Sequence, residues 1–579
     1  MIPVEEYFSN FSVKKNYTKP FQNQVEKYIG ELTSEGTLLL PKLEGYLAYL
    51  KDGNRKLLED VYFKRRRDAA SLALYLQWGH CEEKLPLFEE ILFSICQEYS
   101  WALPAHIPIS EDKTRYMDAY ETVDLFASET AHFLAECTVL FKHKLNPVLL
   151  DMIKTEIQKR VLTPFVSKEW KFERLTNNWS AVCAGSIGMA ALILEKDQEK
   201  RGLILQRVEN ALECFLQGYG DDGACVEGMG YWVYGVGYYT YLADMYEQVE
   251  GKNLFAAPKW KEIVTFPLKA MMPSGNYLPF SDSPENVTIP SSLNAFFYKK
   301  FGIVPSKEST VTDFHFDHCY RWGHLSRILF WSNEEVIDSY QEWNGEFIFD
   351  DAEWAIVKRP NLYFAAKGGN NGESHNHNDL GHFILGDAQG LIFDDLGAPV
   401  YTADYFGEKR YEFAHTRSYY HSVPYLDKEE QREGLDYHAE IIEISQEPKH
   451  FSVKFALHDA YPNTMELSFT RSYTILPDER ELTIQDVFTQ PIPYETHFIT
   501  RRKPEIQSGT LSWNHGQWTL HFDKELFTVE LEELELKNHF NENETVYTII
   551  FISKDHKRQE FTLKVTWLEG EKDEKDESC

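Results

Sequence analysis

Basic residues are scarce in this sequence, in which 59 lysines and arginines stand against 91 aspartates and glutamates, for a net charge of -32 over 579 residues. That balance repels nucleic acid and anionic bilayers over long range, so neither is an expected partner. A polyanionic sugar would have to be met by a local patch of donors. No Cys-x-x-Cys pair occurs among the eight cysteines (Cys81, Cys96, Cys137, Cys183, Cys214, Cys225, Cys319 and Cys579), and most lie in apolar helical contexts. They read as reduced core residues of a cytoplasmic protein. No run of about 18 apolar residues is present, which argues against a spanning helix. The first residues, Met1 to Phe8, lack a basic segment followed by an apolar one, so no secretory leader is expected; a trimmed leader would make the protein secreted. A short strict repeat is also missing, which disfavours a solenoid.

What is present is length and apolar content. A chain of 579 residues, 43% hydrophobic and 15% aromatic, is too long for one core and is expected to form two or three domains. Aromatic residues line many sugar-binding clefts, and they also fill large cores. From about residue 20 to about 270 apolar residues recur at helical spacing, as in Ala69–Leu76, Phe88–Ile95 and Leu125–Leu134, predicting antiparallel helical hairpins. Weaker helical character continues to about residue 340. From Glu346 the period becomes two, as in Phe451–Leu457 and Leu467–Ile475, predicting an antiparallel β-sandwich. The expected division is residues 1–340 helical, 341–568 β-sandwich, and 569–579 a disordered acidic tail.

Three polar stretches interrupt these patterns. Gly368-Gly369-Asn370-Asn371-Gly372-Glu373-Ser374-His375-Asn376-His377-Asn378-Asp379 lies between two predicted strands, and its polar atoms are expected to face water, ligand or metal. Asn177-Asn178-Trp179 precedes a small-residue helix; one amide is enough to cap it, leaving the other for a ligand. Asp221–Tyr239 is glycine-rich, but no strand precedes it and no Gly-Lys-Ser/Thr follows, so a nucleotide loop is not indicated. Tyr231 and Tyr234 there share one helical face.

The order Glu373-Ser374-His375-Asn376-His377-Asn378-Asp379, then Asp395-Leu396-Gly397, then His415-Thr416-Arg417-Ser418 and His421-Ser422-Val423-Pro424 resembles the heparinase II/III-like polysaccharide lyases. Trp101–Ile107 and Asp124–Thr130 look like further segments of that family. The resemblance implies an incomplete (α/α) toroid followed by a β-sandwich, and β-elimination of a uronic-acid-containing glycan, such as heparin, heparan sulfate, hyaluronan or chondroitin. It implies Asn178 as the amide that neutralises the uronate carboxylate, Tyr231 or Tyr234 as catalytic tyrosine, and His375 as the imidazole beside the cleft. Asn177, Trp179, Glu227 and Arg417 are candidate substrate contacts, Arg417 having an ion pair as its alternative role. His377, Asp395 and His421 match the ligands of a zinc or other divalent ion that would brace the loop bearing His375. The expected partner is an acidic oligosaccharide or polysaccharide, with a homodimer possible. One departure matters: some relatives carry a histidine next to the amide, where this chain has Trp179.

Two other functions compete. A glycoside hydrolase on the same toroid would use a carboxylate pair, for which Asp222 and Glu227 are candidates. A non-catalytic glycan-binding protein would need no clustered imidazoles.

Overall fold

The computed structural model describes every residue except 14–15, 33–39, 79–81, 306–309, 337–340, 463–466 and 569–579. The acidic tail, Cys81 and Cys579 therefore lie outside the described residues. Two compact units account for the chain. One comprises Met1–Tyr219, Gly230–Val264 and Thr288–Gln341; the other comprises Gly220–Met229, Thr265–Val287 and Glu342–Cys579.

The first unit is helical. Its helices follow from spacing and caps: Leu85–Cys96 has a proline in its first turn and buries Phe88, Ile91, Leu92 and Ile95 on one face. Leu125–Leu140 starts at Asp124, whose side chain accepts from the Ala127 N–H at 2.7 Å. That helix packs on Asn178–Leu194, which in turn packs on Gln198–Gln217. Helix Asn178–Leu194 is buried almost all round because its small residues admit neighbours closely. A Cβ on Gly185 would sit 2.7 Å from the Tyr238 carbonyl oxygen, and one on Gly235 would sit 2.8 Å from the Phe215 ring. Gly235, beside Tyr234, thus serves helix contact and not a phosphate loop.

A buried ion cluster ties this unit together. Glu136 accepts from the Trp322 indole at 2.6 Å and the Arg327 guanidinium at 2.9 Å, and its other oxygen lies 2.8 Å from His132 Nε2. Burial would raise its pKa, but the Arg327 charge and His132 outweigh that and hold it down to about 2. A carboxyl depressed from 4.5 stabilises the fold fully above that value and loses the contribution as pH falls towards 2. Glu136→Gln, which strands Arg327, is expected to cost about 3–5 kcal/mol at neutral pH. The difference from wild type should narrow across that acid window in denaturant titrations.

The second unit is built on antiparallel sheets. A five-stranded meander runs Gly345–Phe349, Trp354–Arg359, Leu362–Lys367, Phe383–Asp387, Gly390–Phe393. A nine-stranded sheet centres on His450–Ala456, Phe469–Leu476, Glu481–Phe488 and Glu560–Trp567, and a four-stranded sheet on Asn543–Ser553 and Tyr494–Thr500. Alternation places Phe451, Val453, Phe455, Tyr473, Ile475, Leu482 and Ile484 in one core shared by the sheets. The helical toroid and the β-sandwich expected from the sequence are both present.

One buried pair inside that core reaches the loops described below. Arg471 and Asp486 lie directly opposite on adjacent strands and join through two bonds of 2.7 Å. Arg471 also donates to the carbonyls of Ser422 at 2.9 Å and Gly381 at 3.3 Å. Arg471→Met would leave Asp486 buried without its cation, and is expected to destabilise by about 3–5 kcal/mol, measured by equilibrium unfolding.

All cysteines among the described residues whose state is assigned, Cys96, Cys137, Cys183, Cys214, Cys225 and Cys319, are free thiols. No helix among the described residues is long and apolar enough to cross a membrane.

Candidate functional site

In the helical unit, Asn177 is the residue that caps helix Asn178–Leu194, its side chain accepting from the Trp179 N–H at 3.2 Å. Asn178, the first helical residue, is 3% exposed, and its side-chain oxygen has no hydrogen-bond partner among the described residues. The division of labour between the two amides thus falls with the second one left over. Gly235 brings helix Met229–Glu250 against Asn178.

That helix carries both candidate tyrosines. Tyr231 is half-buried, whereas Tyr234 is 8% exposed. The Arg321 guanidinium lies 4.0 Å over the Tyr234 ring, and Tyr238 meets it edge-on at 5.7 Å. Arg321 is anchored to Asp317 at 2.6 Å and faces Glu129 at 3.3 Å. Burial, followed by the Glu129 charge, pushes the Tyr234 phenol well up. Burial likewise pushes Glu129 up to about 7, against the pull of Arg321.

The second unit holds a different constellation, centred on Asp282. It is 4% exposed and follows Ser281, whose φ of 63° is in the left-handed region. His375 Nδ1 lies 2.8 Å from one of its oxygens and His377 Nε2 3.1 Å from the other. Tyr405 also donates to it, and Arg410 donates to both oxygens at 3.2 and 3.3 Å. Burial alone would raise this carboxyl, but hydrogen bonds from the two histidines and the Arg410 charge hold it well below the usual range. His375 itself sits at φ 62°. Strain at both the histidine and the residue before its carboxylate fits a held functional geometry.

A carboxylate can only accept, so each histidine donates to Asp282. His377 therefore offers the lone pair of Nδ1. His421 donates Nδ1–H to the Arg417 carbonyl at 2.9 Å, so it offers the lone pair of Nε2. These two lone-pair nitrogens lie 3.2 Å apart, near the separation of two imidazoles about 2.0–2.1 Å from one ion. Burial keeps His421 neutral by lowering it to about 4. Asp395 lies 3.8 Å from each of these nitrogens. The Asp-x-Gly motif explains its posture: Gly397, at φ 61°, donates to Asp395 Oδ1 at 2.8 Å, and Oδ2 turns towards the histidines. His382 accepts the Ser422 N–H at Nδ1, so its protonated Nε2 faces that oxygen at 3.3 Å. Asp379 Oδ1 is taken by Lys367 at 2.6 Å. Asp379 Oδ2 and Asp395 Oδ2 are buried and accept no hydrogen bond among the described residues. His377, Asp379, Asp395 and His421 can together hold a metal ion. The sequence reading found three of these four; Asp379 escaped because its pairing with Lys367 is set by the fold.

The polar stretch is less displayed than its composition suggests. Asn371, Asn376, His377, Asn378 and Asp379 are all buried, and partners from distant segments satisfy most of it. Asn376, for example, accepts from Tyr411 at 2.7 Å and donates to the Asn371 carbonyl at 2.8 Å. Arg417 pairs with Glu430 and lies near the Tyr419 and Tyr420 rings. Asp222 is committed to the backbone, accepting from Ala224, Asp351 and Ala352 at 2.9, 2.9 and 3.0 Å. Glu227, 8% exposed, lies in the second unit beside the start of the tyrosine helix. A further group of ligand-type residues, Asp317, His318 and Cys319, suits a metal poorly, since Asp317 already serves Cys319 N and Arg321.

Residues 345–567 match the family described as heparinase II/III-like, C-terminal. This part of the chain is similar to heparinase II/III-like C-terminal domains. The histidine and aspartate constellation lies within the matched residues except for Asp282, which a preceding loop contributes. Solved structures agree over nearly the whole chain. A heparinase III is 12% identical, with a TM-score of 0.63, covering 98% of this chain and 94% of its own. The heparan sulfate lyase HepC from Pedobacter heparinus is 13% identical, with a TM-score of 0.59 and coverage of 99% and 94%. A Paenibacillus xanthan lyase is 11% identical, with a TM-score of 0.56 and coverage of 98% and 59%. At such identities the likeness is one of fold. No curated protein sequence matches the chain.

Proposed function

We propose that the protein is a polysaccharide lyase that cleaves a uronate-containing glycan, such as a glycosaminoglycan, by β-elimination. The observation that carries this reading is Asn178, a buried amide at the start of helix Asn178–Leu194 and against the tyrosine helix at Gly235, whose oxygen has no partner among the described residues while its neighbour does the capping. Elimination removes the C5 proton of a uronate and expels the C4 substituent, which requires the adjacent carboxylate to be neutralised. A fixed amide can donate its N–H to that carboxylate, by the logic of an oxyanion hole. Tyr231 is the acid and base: it is half-buried, while the phenol of Tyr234 is enclosed and pushed well up by burial, which makes it a poor base. In the second unit, His375 is oriented by Asp282 as a triad imidazole is by its aspartate, which suits it to proton handling.

A divalent ion at His377, Asp379, Asp395 and His421, zinc being suited to this donor set, would fix the loop bearing His375. The ion supplies bracing, and the proton transfers belong to the side chains named above. Hydrolysis is disfavoured because Asp222, one of its two candidate carboxylates, is held by three backbone N–H groups.

The test is an ultraviolet absorbance time course over heparin, heparan sulfate, chondroitin, hyaluronan and alginate oligosaccharides. Elimination leaves an unsaturated uronate that absorbs. New reducing ends without absorbance would instead establish hydrolysis, and binding without either would establish a glycan-binding protein.

A further inference from the structure

Trp179, next to Asn178, is met by an imidazole from another segment. His106 ends the short turn Pro104–His106. Its ring stacks on Phe126 at 6.0 Å with an interplanar angle of 11°, and meets Trp179 edge-on at 4.7 Å. Nδ1 lies 2.7 Å from Asp124 Oδ2, an oxygen that also accepts the Leu103 N–H at 3.2 Å. Asp124 is 1% exposed, and its other oxygen caps helix Leu125–Leu140. Both ends of the turn are therefore pinned to one buried carboxylate. Two aromatic rings fix the plane of the imidazole.

This arrangement determines what is left for binding. With Nδ1–H donated to Asp124, the remaining polar atom of the ring is Nε2. It makes no hydrogen bond among the described residues and is not enclosed, since the side chain keeps 14% of its exposure. Asn178, with its unpartnered oxygen, follows directly on the cap and precedes Trp179. An apolar ring would pack equally well between Phe126 and Trp179, and Asp124 would keep its two backbone donors without the imidazole. Neither packing nor capping calls for an oriented ring with one outward nitrogen.

We propose that the His106–Asp124 dyad is a substrate-contacting element, in which His106, carrying a proton on both ring nitrogens when the sugar is bound, donates Nδ1–H to Asp124 and Nε2–H to an anionic oxygen, carboxylate or sulfate, of the sugar held at Asn178. Asp124 acts as the positioning residue. The inference rests on the uronate-lyase reading and adds a residue and a contact to it.

The experiment pairs kinetics with direct observation of the ring. His106→Ala and Asp124→Asn are assayed on matched sulfated and desulfated oligosaccharides. In the wild type, the His106 ring resonances are followed by NMR as unsaturated disaccharide product is added. A charge-assisted hydrogen bond of about 1.5–3 kcal/mol predicts a KM raised roughly ten- to hundredfold in His106→Ala with kcat changed little, and a product-dependent shift of the His106 signal. Loss of the effect on desulfated substrate assigns the contact to sulfate; persistence assigns it to the carboxylate. The NMR arm uses wild-type protein, so a poorly folding variant leaves the proposal exposed to refutation. Elimination with unchanged KM, or product binding that leaves His106 unmoved, overturns the dyad and spares the lyase reading. Product binding sensed at His106 without elimination of any glycan overturns the lyase reading and spares the dyad. An absence of both overturns both.

Discussion

Tyr231→Phe is expected to lower kcat on the cleaved glycan by about a hundred- to ten-thousand-fold, the range of a lost general acid or base, with KM nearly unchanged. Tyr234→Phe is expected to stay within about tenfold of wild type, since a buried hydroxyl contributes mainly through local packing. The two side chains sit one turn apart on the same helix, so sequence spacing alone does not separate them. Their surroundings do. Tyr234 lies beneath Arg321 and is pushed up by burial and the Glu129 charge, so a proton removed from it would leave a phenolate facing a carboxylate in an enclosed site. Tyr231 keeps access to solvent, and hence to a substrate. Steady-state kinetics of both variants on one glycan measures the contrast; equal losses would return Tyr234 to the chemistry.

His421→Ala is expected to remove the bound ion and to lower the unfolding midpoint of the sheet unit by on the order of 5–10 °C, as loss of a tight ligand should. His377 Nδ1 and His421 Nε2 face each other across 3.2 Å, and the buried Asp379 Oδ2 beside them lacks a donor among the described residues. Without a cation this arrangement leaves several buried acceptors unsatisfied. Metal analysis of the purified protein should therefore give about one divalent ion per chain, which a chelator removes with the same fall in midpoint. His421→Ala should then be insensitive to chelator. If the wild type carries no ion and ignores added zinc, the cluster is a hydrogen-bonded one.

Much of this was legible in the sequence, for identifiable reasons. Helical and alternating periodicities report which face is buried, and they mark the helical and sheet regions. The His-Asn-His-Asn-Asp stretch stands out because imidazoles and amides so close together need partners. What it could not reveal is where those partners come from. Asp282, the acceptor for both His375 and His377, lies more than ninety residues earlier in chain order, in a turn-rich loop whose composition looks ordinary. His382 escaped notice because its role depends on accepting the Ser422 N–H, a tertiary contact. The burial of the polar stretch was missed for the same reason: composition gives the need for hydrogen bonds, and only the fold decides whether protein or water fills it. The amides at 177 and 178 are the converse case. Cap chemistry predicts that one of them is spare, and backbone geometry at the helix start decides which.

The most direct test of the central claim is cleavage in water enriched in heavy oxygen, with products weighed by mass spectrometry. Elimination breaks the bond without adding water, so the account predicts an unsaturated uronate at the new non-reducing end and no solvent oxygen incorporated at the cleaved linkage. Incorporation of solvent oxygen during cleavage into a saturated product would contradict it and make the protein a hydrolase.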